Sequence, residues 1–232
     1  MDYHHWNPVY EAILSDFGYP RAGDERARDR LATLLAGAST LDPESIDLAG
    51  QTVAVAGGGP SLDDDIDRAV DADAVVAAST AADRLLATGV AVDCVVTDLD
   101  KHAETVVRLT NGGTPVAIHA HGDNLGLVES TVPECDPAAV LPTTQAAPAD
   151  GVENFGGFTD GDRAAFLADH LGAATLVFPG WSFDDPSVSA EKRRKLDWAE
   201  RLLYWLERRR GERFDVLDGR RNGIDTSALP VE

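Results

Sequence analysis

The chain has 232 residues, and its forty Asp and Glu against twenty Lys and Arg give a net charge of −20. That length suits one large α/β domain or a domain with a small extension. The diffuse negative charge argues against a nucleic-acid partner, which needs clustered Lys and Arg, and no apolar run is long enough to span a membrane.

The first residues, Met1-Asp2-Tyr3-His4-His5-Trp6, lack a basic region followed by an apolar one, so no signal peptide is expected and a cytoplasmic location is. Residues 8–37 read as helices. Val9, Ile13, Leu14 and Phe17 have helical spacing, Gly18-Tyr19-Pro20 breaks it, and Leu31, Leu34 and Leu35 resume it. Asp-Pro and Ala-Gly turns mark residues 38–50 as a linker. We therefore expect a helical extension over 1–48 and a main domain over 49–232.

Short apolar runs then alternate with helical segments. The expected strands are Thr52–Ala56, Ala74–Ala78, Cys94–Thr97, Pro115–His119, Ala139–Leu141, Thr175–Phe178 and Phe214–Leu217. The expected helices are Leu62–Val70, Ala81–Ala87, His102–Leu109, Asp162–Leu171 and Ala190–Arg210. Continuous apolar strands with helices between them predict a Rossmann-like α/β fold: a mostly parallel sheet with helices on both faces. Strand order is not readable from the pattern. Residues 142–157, rich in Pro, Ala and Gly, read as a long loop, and a loop of that length is often functional. Cys94 opens an apolar strand and reads as a small core residue. A disulfide with the distant Cys135 is not expected in a cytoplasmic chain.

In open parallel sheets ligands bind beyond the carboxyl ends of the strands, and four expected strands end in chemically marked loops. Gly57-Gly58-Gly59-Pro60-Ser61 follows the first. Pro60 suits a first helical position after a Gly59 cap, and free N–H groups there would hold an anion. A tight strand-to-helix turn explains the same residues, and the run is neither G-x-G-x-x-G nor a Walker loop. Asp63, Asp64 and Asp65 read as surface acids stabilising a first helical turn.

Thr97-Asp98-Leu99-Asp100-Lys101 follows the third strand. Alternation in an extended segment puts Asp98 and Asp100 on one side. Two such carboxylates repel each other unless a cation lies between them, and Mg²⁺ on a nucleotide phosphate is the commonest match. The plain alternative is one capping and one surface aspartate. Lys101 could bind phosphate as a point charge or pair with the aspartates.

His119-Ala120-His121-Gly122-Asp123-Asn124 ends the fourth strand. Asp123 fits as a further oxygen ligand, or Asp123 and Asn124 as groups for a base or ribose. The His-x-His pair lacks the extra ligands of a zinc site, and a structural histidine explains either ring. Thr159 or Asp160 reads as a helix cap; preceded by Gly156-Gly157 and followed by Arg163, the pair also suits a substrate loop. Lys192-Arg193-Arg194-Lys195 reads as a solvated basic face, with a phosphate clamp as the alternative. Arg208–Arg210 reads as a helix C-terminal turn.

Together, Gly-Gly-Gly-Pro-Ser-Leu at 57–62, Thr-Asp-Leu-Asp at 97–100, His-Ala-His-Gly-Asp-Asn at 119–124 and Gly-Phe-Thr-Asp-Gly-Asp-Arg-Ala at 157–164 resemble the archaeal 6-hydroxymethyl-7,8-dihydropterin pyrophosphokinase family, the MptE-like proteins. The resemblance covers roughly residues 50–220. It implies Mg²⁺-dependent transfer of diphosphate from ATP to a pterin alcohol, leaving AMP, in tetrahydrofolate or methanopterin synthesis. It implies Asp98, Asp100 and Asp123 as catalytic residues, with Asp98, Asp100 and Asp160 on the metal. Nucleotide contacts would come from Gly57, Gly58, Gly59, Pro60 and Ser61, and from Lys101, Asn124, Thr159, Asp160 and Arg163.

The catalytic region is also similar to thiamine pyrophosphokinases, in which an Asp-x-Asp and a later Thr-Asp pair bind Mg²⁺ and phosphates; Arg163 stands where that pattern prefers Lys. Gly-Pro-Ser-Leu looks like an element of certain sialyltransferases, which keeps a glycosyltransferase open. A nucleotide-binding module without turnover is the non-enzyme alternative. Pterin contacts would come from Asn154, Phe155, Phe158 and Trp181. No membrane partner is expected, and self-association stays open. Excess acid with lysine only at Lys101, Lys192 and Lys195 resembles proteins of extreme halophiles, whose surface repulsion salt screens.

Overall fold

The computed structural model describes residues 1–230, so the last two residues of the expected main domain, 231–232, lie outside it. Among the described residues six strands form one sheet. They are β1 Thr52–Ala56, β2 Ala74–Ala78, β3 Cys94–Thr97, β4 Val116–Ala120, β5 Val140–Thr144 and β6 Thr175–Val177. The order is β5-β4-β3-β2-β1-β6 and every pairing is parallel. Register runs Val53 to Ala74 on one side of β1 and Val53 to Leu176 on the other. The inner strands are Val- and Ala-rich because both their faces are buried.

From β1 to β5 each step moves one strand outward. The crossovers contain α3 Ile66–Val70, α4 Ala81–Ala87, α5 Ala103–Asn111 and α6 Leu125–Thr131. The right-handed rule keeps such successive crossovers on one face. The chain then returns through α7 Asp160–His170, which packs on β1, β2 and β3, and enters β6 beside β1. Strand order thus reverses between β1 and β6, and such a switch opens a crevice at the carboxyl ends.

The N-terminal helices enter both helical layers. α1 Tyr3–Phe17 joins α7 and α8 Ala190–Arg210, where Trp6, Phe166 and Trp205 form an aromatic row with centroids 6.4 and 5.8 Å apart. α2 Arg21–Leu34 packs in the other layer, laying Ala27 and Leu31 against β4, β5 and α6.

Several elements differ from expectation. α1 begins at Tyr3, before Pro8, because the Asp2 side chain caps it by accepting from His5 N–H at 3.0 Å. The helix expected over Leu62–Val70 is a 3₁₀ turn, Pro60–Asp63, followed by α3. β5 extends to Thr144, so the long loop starts at Gln145. α6 had no expected counterpart. Phe214–Leu217 is not a strand: residues 215–217 form a 3₁₀ turn. Phe214 and Leu217, three positions apart, are both buried, and the Phe214 ring packs tilted against Phe178 with centroids 4.8 Å apart, so their apolar character reflects core packing. Cys94 and Cys135 are buried free thiols. Among the described residues no helix is long and apolar enough to cross a membrane.

Candidate active site

The loop after β3 brings Asp98 and Asp100 together by a turn rather than by strand alternation. Leu99 is left-handed at φ +67°, its N–H donating to Thr97 Oγ1 at 3.0 Å, while Asp100 N–H donates to Asp98 Oδ1 at 3.2 Å. A non-glycine residue persists in that conformation only when its surroundings hold it. Asn124 does much of the holding: its amide donates to the carbonyls of Asp98 and His119, both at 2.7 Å, and its oxygen accepts from His121 N–H at 2.9 Å. Asn124 is buried, and its side chain braces two loops rather than facing the cavity.

The third acid comes from the start of α7. Asp162 accepts from Phe158 N–H and from Thr159 N–H and Oγ–H, so Thr159 caps the helix and its hydroxyl is held by Asp162. That fixes Asp160 in the first turn. One carboxylate oxygen each from Asp98, Asp100 and Asp160 then lie within 4.8 Å of one another. Three converging carboxylates fit a hard divalent cation with oxygen ligands.

Their electrostatics agree. Burial, reinforced by the negative charge of Asp98 and opposed by Arg163, pushes the Asp160 carboxyl up to about 7. Burial and the charge of Asp98 also raise Asp100. Burial works against charge on Asp98 too, but the His121 hydrogen bond and the Arg163 guanidinium hold its carboxyl well below the usual range. Three acids that cannot all ionise comfortably together are a charge imbalance that a cation would relieve.

Beside the cluster lies a cavity of about 600 Å³ at the β1/β6 switch. Its lining includes Gly57, Gly58, Gly59 and Pro60, Lys101, Asp123, and Thr159 and Arg163. Arg163 is buried and spans from Asp160 Oδ1, at 3.0 Å, to Gln145 Oε1, at 3.1 Å. His121 Nε2 lies 3.4 Å from Asp98 Oδ2 and its Nδ1 accepts from Asp123 N–H at 3.4 Å, so both ring nitrogens are engaged. Burial, followed by the charges of Arg163 and His121, lowers His119 well below the usual range, keeping it a neutral core ring against Thr143.

The glycine run differs in detail from an anion nest. Gly57 and Gly59 N–H donate to the carbonyls of Pro179 and Gly180 at 2.9 and 2.8 Å. A Cβ on Gly59 would lie 2.5 Å from the Gly180 carbonyl oxygen, so glycine is required here for the two loops to touch. Ser61 donates to Asp65 at 2.9 Å and does not line the cavity. Of the expected pterin contacts, Phe158 and Trp181 line it; Asn154 and Phe155 are buried elsewhere.

Sequence reasoning missed Asp24 and Gln145, which also line the cavity. Asp24 accepts from Tyr10 at 2.6 Å, Gln145 at 2.8 Å and Gly122 N–H at 2.7 Å, tying α1, α2 and two strand-end loops together. An aspartate on the otherwise apolar Ala27–Leu31 face of α2 was the available signal.

The model of a family described as 6-hydroxymethylpterin diphosphokinase MptE-like matches residues 30–187. A protein of Methanothermobacter thermautotrophicus named 6-hydroxymethyl-7,8-dihydropterin pyrophosphokinase is 37% identical over 225 residues, covering 90% of this chain and 96% of its own. Proteins of the same name from Pyrococcus furiosus and Methanocaldococcus jannaschii are 35% and 29% identical, each over 89% of this chain and 95% and 96% of their own.

Proposed function

The chain belongs to the MptE-like 6-hydroxymethylpterin diphosphokinase family, and from that premise we propose that it transfers the terminal diphosphate of ATP to 6-hydroxymethyl-7,8-dihydropterin, using Mg²⁺. The observation that carries this reading is the convergence of Asp98, Asp100 and Asp160 in the wall of a cavity at the topological switch. The relatives' names supply the pterin, and the acidic excess supplies the salt-rich cytoplasmic setting. The product would feed tetrahydrofolate or methanopterin synthesis.

In this reaction the pterin hydroxymethyl oxygen bonds to the β-phosphorus. The bond from that phosphorus to the α,β-bridging oxygen breaks, and AMP leaves with that oxygen and its electron pair. The hydroxyl proton passes to Asp123, which is exposed at the rim, whereas the neighbouring His121 has both nitrogens engaged. Mg²⁺ at the three aspartates would neutralise charge on the phosphates. Arg163, fixed by Asp160 and Gln145, presents a positive edge to the same space. Phe158 and Trp181 offer aromatic surface for the pterin ring. Positioning and charge stabilisation carry most of the rate.

The test incubates the protein with Mg²⁺, ATP and the pterin alcohol in KCl and resolves the nucleotides. AMP that appears only with the pterin, and is lost in Asp98→Asn, supports the reading. AMP with thiamine instead of the pterin transfers the assignment to thiamine, and no AMP with either alcohol in folded protein removes it.

A further inference from the structure

Every lysine in the chain reaches one cavity. Lys101, Lys192 and Lys195 are the only lysines, and all three line the space beside the aspartate cluster. The other 17 cationic side chains apart from histidine are arginines, and of these only Arg26 and Arg163 line the cavity.

The arrangement on α8 is directional. Lys192, Lys195, Leu196 and Ala199 line the cavity, a spacing that forms one face of a helix. The two arginines between the lysines do not join them. Arg193 is exposed away from the cavity. Arg194 turns to α1, donating to the Asp16 carbonyl at 2.6 Å and lying over the Phe17 ring at 4.5 Å. Only the lysines of Lys-Arg-Arg-Lys face the site. This face also lies beyond residue 187, where the family-model match ends.

The ammonium groups are open to a ligand. Among the described residues, the side chains of Lys101 and Lys192 make no hydrogen bond or ion pair, although both favour the charged form of Asp100 electrostatically. Lys195 has two loose partners, the exposed Glu191 at 3.5 Å and the Tyr19 ring, whose centroid is 6.0 Å away. The chemistry suits lysine over arginine. A guanidinium fork beside Asp98 and Asp100 would pair bidentately with a carboxylate and close the site. An ammonium on a flexible stem stays a mobile point charge and can follow phosphate oxygens as bonds change.

A polyphosphate entering past three carboxylates meets repulsion that one divalent cation offsets only in part. We propose that Lys101, Lys192 and Lys195 form a clamp on the polyphosphate chain of the nucleotide, with α8 supplying two of the three contacts. The identity of the nucleotide rests on the diphosphate-transfer reading above; recognition of the phosphate chain does not.

The test titrates inorganic tripolyphosphate into the full chain by calorimetry, at one KCl concentration and without pterin, alongside the KM for ATP in the AMP assay. Lys192→Ala and Lys195→Ala are each expected to weaken tripolyphosphate binding about tenfold and to raise the KM for ATP with little change in that for the pterin. Arg193→Ala removes the same charge from the same turn and is expected to change neither. Equal weakening by Arg193→Ala overturns the clamp in favour of a general field. Unchanged binding in both lysine variants, with wild-type melting, also overturns it. Lysine-dependent tripolyphosphate binding in a protein that makes no AMP would uphold the clamp and remove the pterin reading. Pterin-dependent AMP formation with an unaltered KM for ATP in the lysine variants would do the reverse.

Discussion

Two sets of carboxylates border the same cavity and are treated in opposite ways. Asp24, from α2, is buried with both oxygens taken by Tyr10, Gln145 and the Gly122 N–H. Asp98, Asp100 and Asp160 face one another instead, and two of the three are pushed toward their neutral form by burial and mutual repulsion. The first arrangement is what a buried acid needs for stability. The second is destabilising by itself and makes sense as a site that awaits positive charge. Acid content does not separate the two sets; what does is that Asp24 faces only hydrogen-bond donors while the other three carboxylates also face one another.

The sharpest way to break this contrast is to neutralise a member of the mutually repelling set. Asp100→Asn is expected to reduce AMP formation about a thousandfold with no lowering of the melting temperature in divalent-free buffer, because burial and the charge of Asp98 already disfavour its ionised form. A variant that loses several degrees together with activity would show the cluster to be structural, like Asp24.

The pH dependence of Asp160 tests the same idea from the other side. Its carboxyl sits at about 7 when folded, against about 3.9 unfolded. The folded state therefore binds this proton more tightly. That contribution to stability is complete below about pH 4 and is lost as pH rises through 7. Asp160→Asn removes the loss, so in divalent-free buffer at pH 8 the variant is expected to be stabilised by about 2 to 4 kcal/mol, the gain vanishing near pH 4. Cation binding to the unaltered protein is expected to weaken about tenfold per pH unit below 7, since a proton must leave first. Thermal melts and cation titrations across pH 4–8 measure both. Destabilisation at pH 8 would mean that the Asp160–Arg163 pair outweighs the repulsion.

The satisfied set predicts the reverse sign. Asp24→Ala leaves the Tyr10 hydroxyl, the Gln145 amide and the Gly122 N–H without their acceptor. The expected loss is about 3 kcal/mol in chemical denaturation. Gln145 also holds Arg163, so a rise in the KM for ATP should accompany it. Unchanged stability would show that the N-terminal wall is not braced through this carboxylate.

What the sequence revealed follows the same division. β1, β2 and β3 were legible to the residue because each is a continuous apolar run between turn residues. The pairing of Asp98 and Asp100 was legible because they follow a strand end, whereas the approach of Asp160, read locally as a helix cap, was implied only by the resemblance. That Leu99 turns left-handed was not, since two acids one residue apart look the same whether extended or turned. Asp24 and Gln145 meet across 121 positions, a contact that no local pattern encodes. The misread strand over Phe214–Leu217 has the same origin: apolar residues three apart fit a 3₁₀ turn as well as a short strand, and only the absence of a strand beside it decides.

The smallest expected effect concerns acids that belong to neither set. Asp63 stands next to the glycine run in sequence but is exposed and pairs with Arg84 at 2.8 Å. Asp63→Asn is expected to change stability by under about 0.5 kcal/mol, as exposed ion pairs do, and to leave AMP formation unchanged. Arg84→Ala should cost about 1 kcal/mol, because the same guanidinium donates to the Gly59 carbonyl at 2.8 Å and so holds the turn that forms the cavity wall. Equal effects from the two variants, measured by thermal melts, would mean that the pair itself matters. An effect confined to Arg84→Ala would place its value in the contact with the Gly59 carbonyl, leaving Asp63 as solvated surface, unlike the half-buried Asp65, which ties the turn to Gly180 N–H at 3.0 Å.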